Sequence, residues 1–146
     1  MTLIENPFGS EISSDDILDT LSFFDDWEER YKYIIDLGKQ LPAMPESKQT
    51  DEYLLRGFES EVWIDSEGKD VVLYFEAYSD AFIGRGLLGG VLAAYNHKTA
   101  EDILAFDIEN YFDSIDLLKH LSPTRGNGIR SMVQRIQATA QAAQSA

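Results

Sequence analysis

The 146-residue sequence contains no cysteine. This excludes disulfide bonds, zinc–thiolate sites, iron–sulfur ligation and thiol chemistry for this chain acting alone. No apolar run reaches the ~18 residues that a membrane-spanning helix requires. The N-terminus lacks a basic region followed by an apolar core, so we expect no signal peptide. These absences predict a soluble, cytoplasmic protein with no membrane partner.

Basic residues are scarce: 12 Lys and Arg stand against 26 Asp and Glu, for a net charge of −14. Such a balance argues against direct nucleic-acid binding, which needs a basic footprint for the phosphates. Twenty of the 26 acids lie in residues 1–80, and none follows Asp116. Two interpretations remain: a solvated acidic surface with one mildly basic helix, or a basic pole facing an anion or an acidic partner. The C-terminal basic residues are Lys119, His120, Arg125, Arg130 and Arg135.

Hydrophobic residues make up 44% of the chain, enough for a core. A chain of this length buries roughly two thirds of its unfolded surface as one domain. We therefore expect a single domain over residues 1–146. Residues 1–13 are predicted to form a loose N-terminal arm, and the alanine- and glutamine-rich residues 141–146 a frayed tail.

Capping signals and apolar periodicity predict the elements of the first half. Helices are expected from Ser13 or Ser14 and from Asp25 or Asp26, the second ended by Gly38 and Pro42. A hairpin follows, with strands at 61–64 and 71–76 around a turn at 65–68. Ser79 and Asp80 are predicted to cap an apolar helix over 81–95.

Short helices are predicted near 99–106 and 108–112, then a turn at 117–121 and a loop at 122–128. The final helix has one apolar face, formed by Ile129, Met132, Val133, Ile136 and Ala140. Helices, one hairpin and more helices indicate an α+β fold, in which a small antiparallel sheet built on the hairpin is covered by several helices.

Several motifs have simpler explanations than a cofactor or metal site. The G-x-G-x-x-G pattern from Gly84 to Gly89 lies inside a predicted helix and lacks the following parallel strand of a dinucleotide fold, so it indicates helix–sheet packing. His97 and His120 are far apart in sequence and lack patterned partners. The acids from Asp25 to Glu29 suit a helix N-terminus. We expect no cofactor, no metal and no self-contained catalytic constellation.

The Gly57-Phe58 pair is the most unusual local feature. Glycine takes positive φ without steric cost, so it can lift the next side chain to the tip of a loop just before a strand. Loop tips held by rigid strands often carry function. Asp80 and Arg125 lie in two other helix-start loops, and we expect both to converge on Phe58.

Motifs in the same order and spacing make the chain resemble the SufE family of sulfur-acceptor proteins, with most similarity to its CsdE branch. They are Asn6-Pro7-Phe8-Gly9, Trp27-Glu28-Glu29-Arg30-Tyr31, Leu37 to Pro42, Gly57-x-x-Ser60-x-Val62-Trp63, Ser79-Asp80-Ala81, Arg85-Gly86-Leu87-Leu88 and Leu121-Ser122-x-x-Arg125-x-x-Gly128.

The resemblance implies a SufE/IscU-like fold and a role as an accessory protein rather than an enzyme. Family members bind a pyridoxal-phosphate cysteine desulfurase (SufS/CsdA-like) and accept sulfur as a persulfide on a loop cysteine. They pass it to a downstream sulfur acceptor or iron–sulfur scaffold, and in the CsdE branch also toward tRNA modification. The acceptor position corresponds to Phe58, with Gly57, Ser60, Asp80 and Arg125 as its supporting pocket.

The departure at this position changes the expected chemistry, because a phenyl ring cannot replace the thiolate that attacks sulfur. Tyr78, where the family usually has an acid, and Gly126-Asn127, in place of a usual Ser-Gln, are two further departures. In resting family members the acceptor side chain lies under its loop. Phe58 either fills that cavity, gaining roughly 1.5–3 kcal/mol, or overpacks it and turns outward as an apolar anchor.

Three functions follow as hypotheses. The first is a SufE/CsdE-like desulfurase partner in sulfur transfer for iron–sulfur cluster assembly that cannot carry sulfur itself. The second is a non-catalytic interaction or regulatory module that binds a desulfurase. The third is a small-anion-binding domain that uses a cavity between hairpin and helices, with Arg125 as the anion contact.

Overall fold

The computed structural model describes residues 6–55, 61–69, 71–114 and 123–145, and only the backbone at 69, 82, 123–126 and 145. Within these ranges the fold is α+β, as predicted: a three-stranded antiparallel sheet and six α-helices. The helices are α1 (Ser14–Leu21), α2 (Trp27–Gly38), α3 (Phe82–Tyr95), α4 (Ala100–Ala105), α5 (Ile108–Ser114) and α6 (Pro123–Ser145), and a 3-10 turn spans Glu46–Lys48. The strands, in sheet order, are β1 (Val62–Lys69), β2 (Val72–Ser79) and β3 (Lys98–Thr99).

Side-chain caps fix three predicted helix starts. Ser13 forms a capping box with Asp16 at α1, Asp26 accepts from the Glu29 amide at α2, and Thr99 accepts from the Asp102 amide at α4. Each cap satisfies a backbone amide that lacks an intrahelical partner. The predicted start of α3 is wrong, because its N-cap is Ala81, which makes no side-chain cap hydrogen bond.

The hairpin is longer than predicted. Val62 pairs with Ser79 and Lys69 with Val72, so the chain reverses direction between Lys69 and Val72. The predicted turn at 65–68 is wrong, because these residues continue β1. Gly68 lies opposite Leu73, and the polar side chains at 65–67 are tolerated because this part of the strand is partly exposed.

Helix α3 is the central element, packed against α2, β2, α1 and α6. Gly86 lies against the backbone carbonyl of Ile34 in α2, and Gly89 against the ring of Phe8. Neither position has room for a Cβ. The glycines therefore serve close packing, but mainly against α2 and the N-terminal segment. The predicted helix–sheet contact applies only to Gly84, beside Ser79.

The N-terminal segment is part of the core, so the predicted loose arm is wrong for residues 6–13. Phe8 is 0% exposed. Its amide donates to Asn6 Oδ1, and its carbonyl accepts from Asn96 Nδ2 at 3.0 Å. Asn96 Oδ1 also accepts from the Phe75 amide of β2. An aromatic ring buried in this way, with its backbone hydrogen bonds satisfied, ties residues 6–12 to the sheet. Residues 1–5 lie outside the described ranges.

Helix α6 begins earlier and ends later than predicted. Pro123 occupies its first position, which suits proline because the first-turn amide has no intrahelical acceptor. The predicted loop over 122–128 is therefore helical from residue 123, and helix also replaces the predicted frayed tail from 141 to 145. The apolar face is confirmed as buried, with Ile129, Met132, Val133, Ile136 and Ala140 in the core. In the part of the chain that the structure describes, no helix is long and apolar enough to cross a membrane.

Candidate functional site

Residues 56–60, which the sequence predicts to form a loop, connect two segments that pair through their backbones. The Leu55 amide donates to the Val62 carbonyl at 2.8 Å, and the Ile64 amide donates to the Tyr53 carbonyl at 2.9 Å. Leu54 lies opposite Trp63 in an antiparallel bridge. Residues 53–55 therefore form a short extended segment beside β1, and both ends of the loop are held by the sheet.

Asp80 forms a further pair of hydrogen bonds at the base of the loop, on the other side of β1. Its amide donates to the Glu61 carbonyl at 3.3 Å, and its Oδ1 accepts from the Glu61 amide at 3.1 Å. The pair continues the β1–β2 register by one step beyond Val62 and Ser79. Because the side chain, not the backbone carbonyl, accepts the last hydrogen bond, the backbone of Asp80 is free to turn toward α3. Asp80 thus holds the end of the loop and does not cap the helix.

The end of β2 and the start of α3 are fixed by Ser79 and Arg85. Ser79 Oγ accepts from the Ala81 amide at 3.1 Å, and the Ser79 carbonyl accepts from Arg85 Nε at 2.9 Å. The Arg85 guanidinium also lies over the ring of Tyr78, 4.6 Å from its centroid, a favourable cation–π geometry. Arg85 is therefore held at the end of β2. Arg85 belongs to a glycine pattern and to a family motif in the sequence, but neither predicts this contact.

The chain leading into the loop is fixed by an ion-pair cluster. Lys48 Nζ lies 2.9 Å from Asp65 Oδ2 and 3.0 Å from Glu76 Oε1. Glu76 is buried, and its Oε2 has no hydrogen-bond partner among the described residues. Burial alone would lower the pKa of Lys48, but the hydrogen bonds to both carboxylates outweigh it and raise that pKa. The cluster ties residues 46–48 to both strands of the hairpin.

Only part of the predicted site lies in the described residues. Gly57, Phe58 and Ser60 are outside them. Arg125 lies in the first turn of α6, and its side chain is also outside. Asp80 is therefore the one predicted site residue with a described side chain, and it is exposed at the base of the loop. The convergence of Phe58, Asp80 and Arg125 stays a prediction.

The simpler explanations of the remaining polar residues fit the structure. No group of three or more histidines, acids or cysteines that would suit a metal ion occurs among the described side chains. Asp26 caps α2, and Glu28 and Glu29 fill its first turn. His97 is half-buried at φ +60° with its ring edge against Tyr74. His120 lies outside the described ranges.

Comparison with known proteins identifies a family that covers most of the chain. Residues 15–140 match the family model described as SufE, an Fe-S metabolism associated domain. An uncharacterized SufE-like protein of Rhizobium meliloti is 44% identical over 133 residues, which is 88% of this chain and 95% of that protein. One from Rhizobium etli is 45% identical over 128 residues, 85% of this chain and 86% of that protein.

A solved structure shares the fold. The solution structure of a hypothetical protein from Thermus thermophilus superposes with a TM-score of 0.72 and covers 91% of this chain and 96% of its own. At 12% identity this likeness shows the fold alone. The family match and the two rhizobial relatives carry the assignment further: this chain belongs to the SufE family.

Proposed function

We propose that this chain is a SufE-type partner of a pyridoxal-phosphate cysteine desulfurase of the SufS/CsdA-like kind that does not carry sulfur itself. Proteins of the SufE family are accessory sulfur-transfer proteins that work with cysteine desulfurases. The proposal extends to the CsdE branch, with a downstream sulfur acceptor or iron–sulfur scaffold as the later partner. Its setting would be the cytoplasm, and the chain would act as an accessory protein rather than as an enzyme.

The absence of cysteine carries the second half of the proposal. Sulfur is accepted when a thiolate attacks the outer sulfur of the donor's persulfide, which forms a new S–S bond, breaks the donor's S–S bond and releases the donor cysteine as a thiolate. The chain contains no cysteine at any position. With Phe58 at the acceptor position, the loop presents a phenyl ring, which has no lone pair for this attack. Partner binding is separable from this step, because it depends on the surface around the loop.

The framework of the loop supports retention of partner binding. The loop ends are held by the pairing of residues 53–55 with β1 and by the two hydrogen bonds between Glu61 and Asp80. Lys48 fixes the chain that enters the loop. These contacts fix the residues on either side of the predicted loop, and none of them requires a thiol.

Intact-mass measurement after incubation with a cognate desulfurase and cysteine tests the proposal. The native chain is expected to gain no sulfur atom, whereas Phe58→Cys is expected to gain one. Val71→Cys is the matched control: Val71 is 74% exposed in the hairpin turn, so it supplies an accessible thiol outside the loop. Sulfur on the native chain would refute the proposal, as would equal labelling of the two cysteine variants.

The desulfurase turnover rate separates the first two hypotheses. A passive partner leaves turnover unchanged, whereas a regulatory module changes it without taking up sulfur. Micromolar binding measured by calorimetry is expected in both cases. If no binding is detected with cognate desulfurases, both hypotheses are wrong, whatever the mass measurement shows.

A further inference from the structure

A polar cavity lies between the hairpin and α6. Its volume is about 160 Å³. Arg135 and Thr139, one turn apart on α6, form one wall, and β1 with the segment before the loop forms the other. The lining residues are Glu52, Tyr53, Ile64, Asp65, Ser66, Phe75, Arg135 and Thr139.

The rim carries both signs of charge. Arg135 and Glu52 are exposed, and neither forms an ion pair with another residue that the structure describes. Asp65 differs, because its carboxylate is already paired with Lys48 at 2.9 Å. The rim therefore offers one cation and one anion that remain available, a combination that suits a ligand carrying both charges.

The inner surface is apolar. Ile64 and Phe75 are buried beneath the rim, and Tyr53 contributes a half-buried ring. Three residues of the lining carry a neutral hydroxyl: Tyr53, Ser66 and Thr139. Thr139 Oγ1 donates to the Arg135 carbonyl at 2.9 Å, which leaves its lone pairs free to accept. This arrangement of charged rim and apolar floor is typical of sites for small polar ligands.

The volume limits the ligand to a few heavy atoms. An engineered cavity of about 150 Å³ holds benzene, a molecule of six heavy atoms, and a small α-amino acid is about as large. We propose that the cavity between β1 and α6 binds a small zwitterionic amino acid. Its carboxylate would pair with Arg135, its ammonium group with Glu52, and its short side chain would contact Ile64 and Phe75.

The cation proposed for this site differs from the predicted site residue Arg125, although Tyr53 and Ile64 of the cavity also pair at the base of the loop. Arg135 and Arg125 are ten residues apart on one helix, which corresponds to about 15 Å along its axis. Arg135 supplies the cation of this cavity, and the anion contact expected from sequence at Arg125 stays a prediction. Amino-acid binding here requires no desulfurase, so it can fail or succeed independently of the proposed function.

Titration of the whole chain with L-alanine, followed by amide chemical shifts at Ser66 and Thr139, tests the site. Saturable binding is expected, about fourfold tighter than for glycine because one more methyl group is buried. Arg135→Gln and Glu52→Gln are each expected to weaken binding at least about tenfold, since each removes a charge-assisted contact. Arg130→Gln is the matched control on the same helix. Arg130 pairs with Glu109 outside the cavity, so its replacement should leave binding unchanged.

Three results would overturn the proposal. One is the absence of saturable shifts up to the solubility limit of alanine. Another is an affinity for acetate equal to that for alanine, which would show that the site recognises only a carboxylate. The third is equal weakening by Arg130→Gln, which would assign the effect to the general charge of α6. Thermal melting of each variant checks that it is folded.

Discussion

Replacement of Lys48 by methionine is predicted to destabilise the protein strongly. Methionine keeps much of the aliphatic stem but removes the ammonium group, which leaves the carboxylate of Glu76 buried at 3% exposure without its cation. Loss of one partner of a buried ion pair costs about 3–5 kcal/mol. The lower end applies here, because the side chains of Lys48 and Asp65 are 19% and 22% exposed and water reaches them. We expect a loss of about 3 kcal/mol in the free energy of unfolding.

Thermal and urea unfolding measure this loss. For a domain of this size, about 3 kcal/mol corresponds to a decrease of roughly 10 °C in Tm. The Lys48→Met/Glu76→Leu double variant also removes the unpaired carboxylate. It should recover part of the lost stability, since apolar replacement of a buried pair is often neutral. Lys39→Met is the control. Lys39 pairs with Asp36 in full solvent, with side chains 69% and 67% exposed, and such pairs contribute at most about 1 kcal/mol.

Two outcomes would refute this reasoning. If Lys48→Met costs no more than Lys39→Met, the cluster does not stabilise the fold. If the double variant is less stable than Lys48→Met alone, the loss does not come from an uncompensated carboxylate at Glu76.

Three further perturbations follow from the same structure. Gly86→Ala should lower the free energy of unfolding by about 1–3 kcal/mol, because its Cβ would meet the α2 backbone. A Cβ at Gly90 would have its nearest neighbour at 3.9 Å, so Gly90→Ala should stabilise by up to about 1 kcal/mol. Thermal unfolding measures both effects, and the reverse order would contradict the packing. Burial, aided by the charge of Lys98, lowers the pKa of His97 below 6.5, so the unfolded chain binds more protons just below pH 6.5. Stability should therefore fall as pH decreases through 6.5 and be constant above it; His97→Gln should flatten this dependence in urea titrations. Asp80→Ala should accelerate hydrogen exchange at the Glu61 amide, whereas Asp80→Asn, which keeps an acceptor, should not. Equal exchange rates in the two variants would show that the Asp80 side chain does not accept from the Glu61 amide.

Local chemistry made the helix starts and the buried stripes predictable. Ser13, Asp26 and Thr99 each cap a helix because the signal and the interaction lie within three residues of each other. The inner face of α6 follows in the same way from the spacing of Ile129 and its neighbours. In these cases the residues that determine the structure are close together in the sequence.

The errors arise where a distant contact decides the outcome. A turn at 65–68 agrees with local composition, but pairing with β2 carries the strand on to Lys69. Phe8 belongs to a segment without periodicity, and its burial depends on Gly89 and Asn96. Lys48 and Glu76 are 28 residues apart, and no spacing rule connects them. Such contacts become visible only in three dimensions.

The candidate site was likewise predictable only where local sequence determines the structure. The resemblance to the SufE family pointed to Asp80, whose side chain lies at the base of the loop. Its side-chain oxygen accepts the last hydrogen bond of the β1–β2 ladder. This contact depends on the register of the two strands, which could not be derived from the sequence because the turn was predicted at the wrong residues. Arg85 and Glu61 were missed as parts of the loop base for the same reason.

Burial of Phe8 also bears on where this protein can be shortened. The family match begins at residue 15, and a chain trimmed to that boundary would lose the ring that fills the space beside Gly89 and the carbonyl that binds Asn96. Loss of a buried phenylalanine side chain costs about 3–5 kcal/mol, a large share of the margin that keeps a domain of this size folded. The unit that folds therefore begins upstream of the matched residues 15–140, and we expect an N-terminal fusion to tolerate a linker before Asn6 far better than one that replaces residues 6–12.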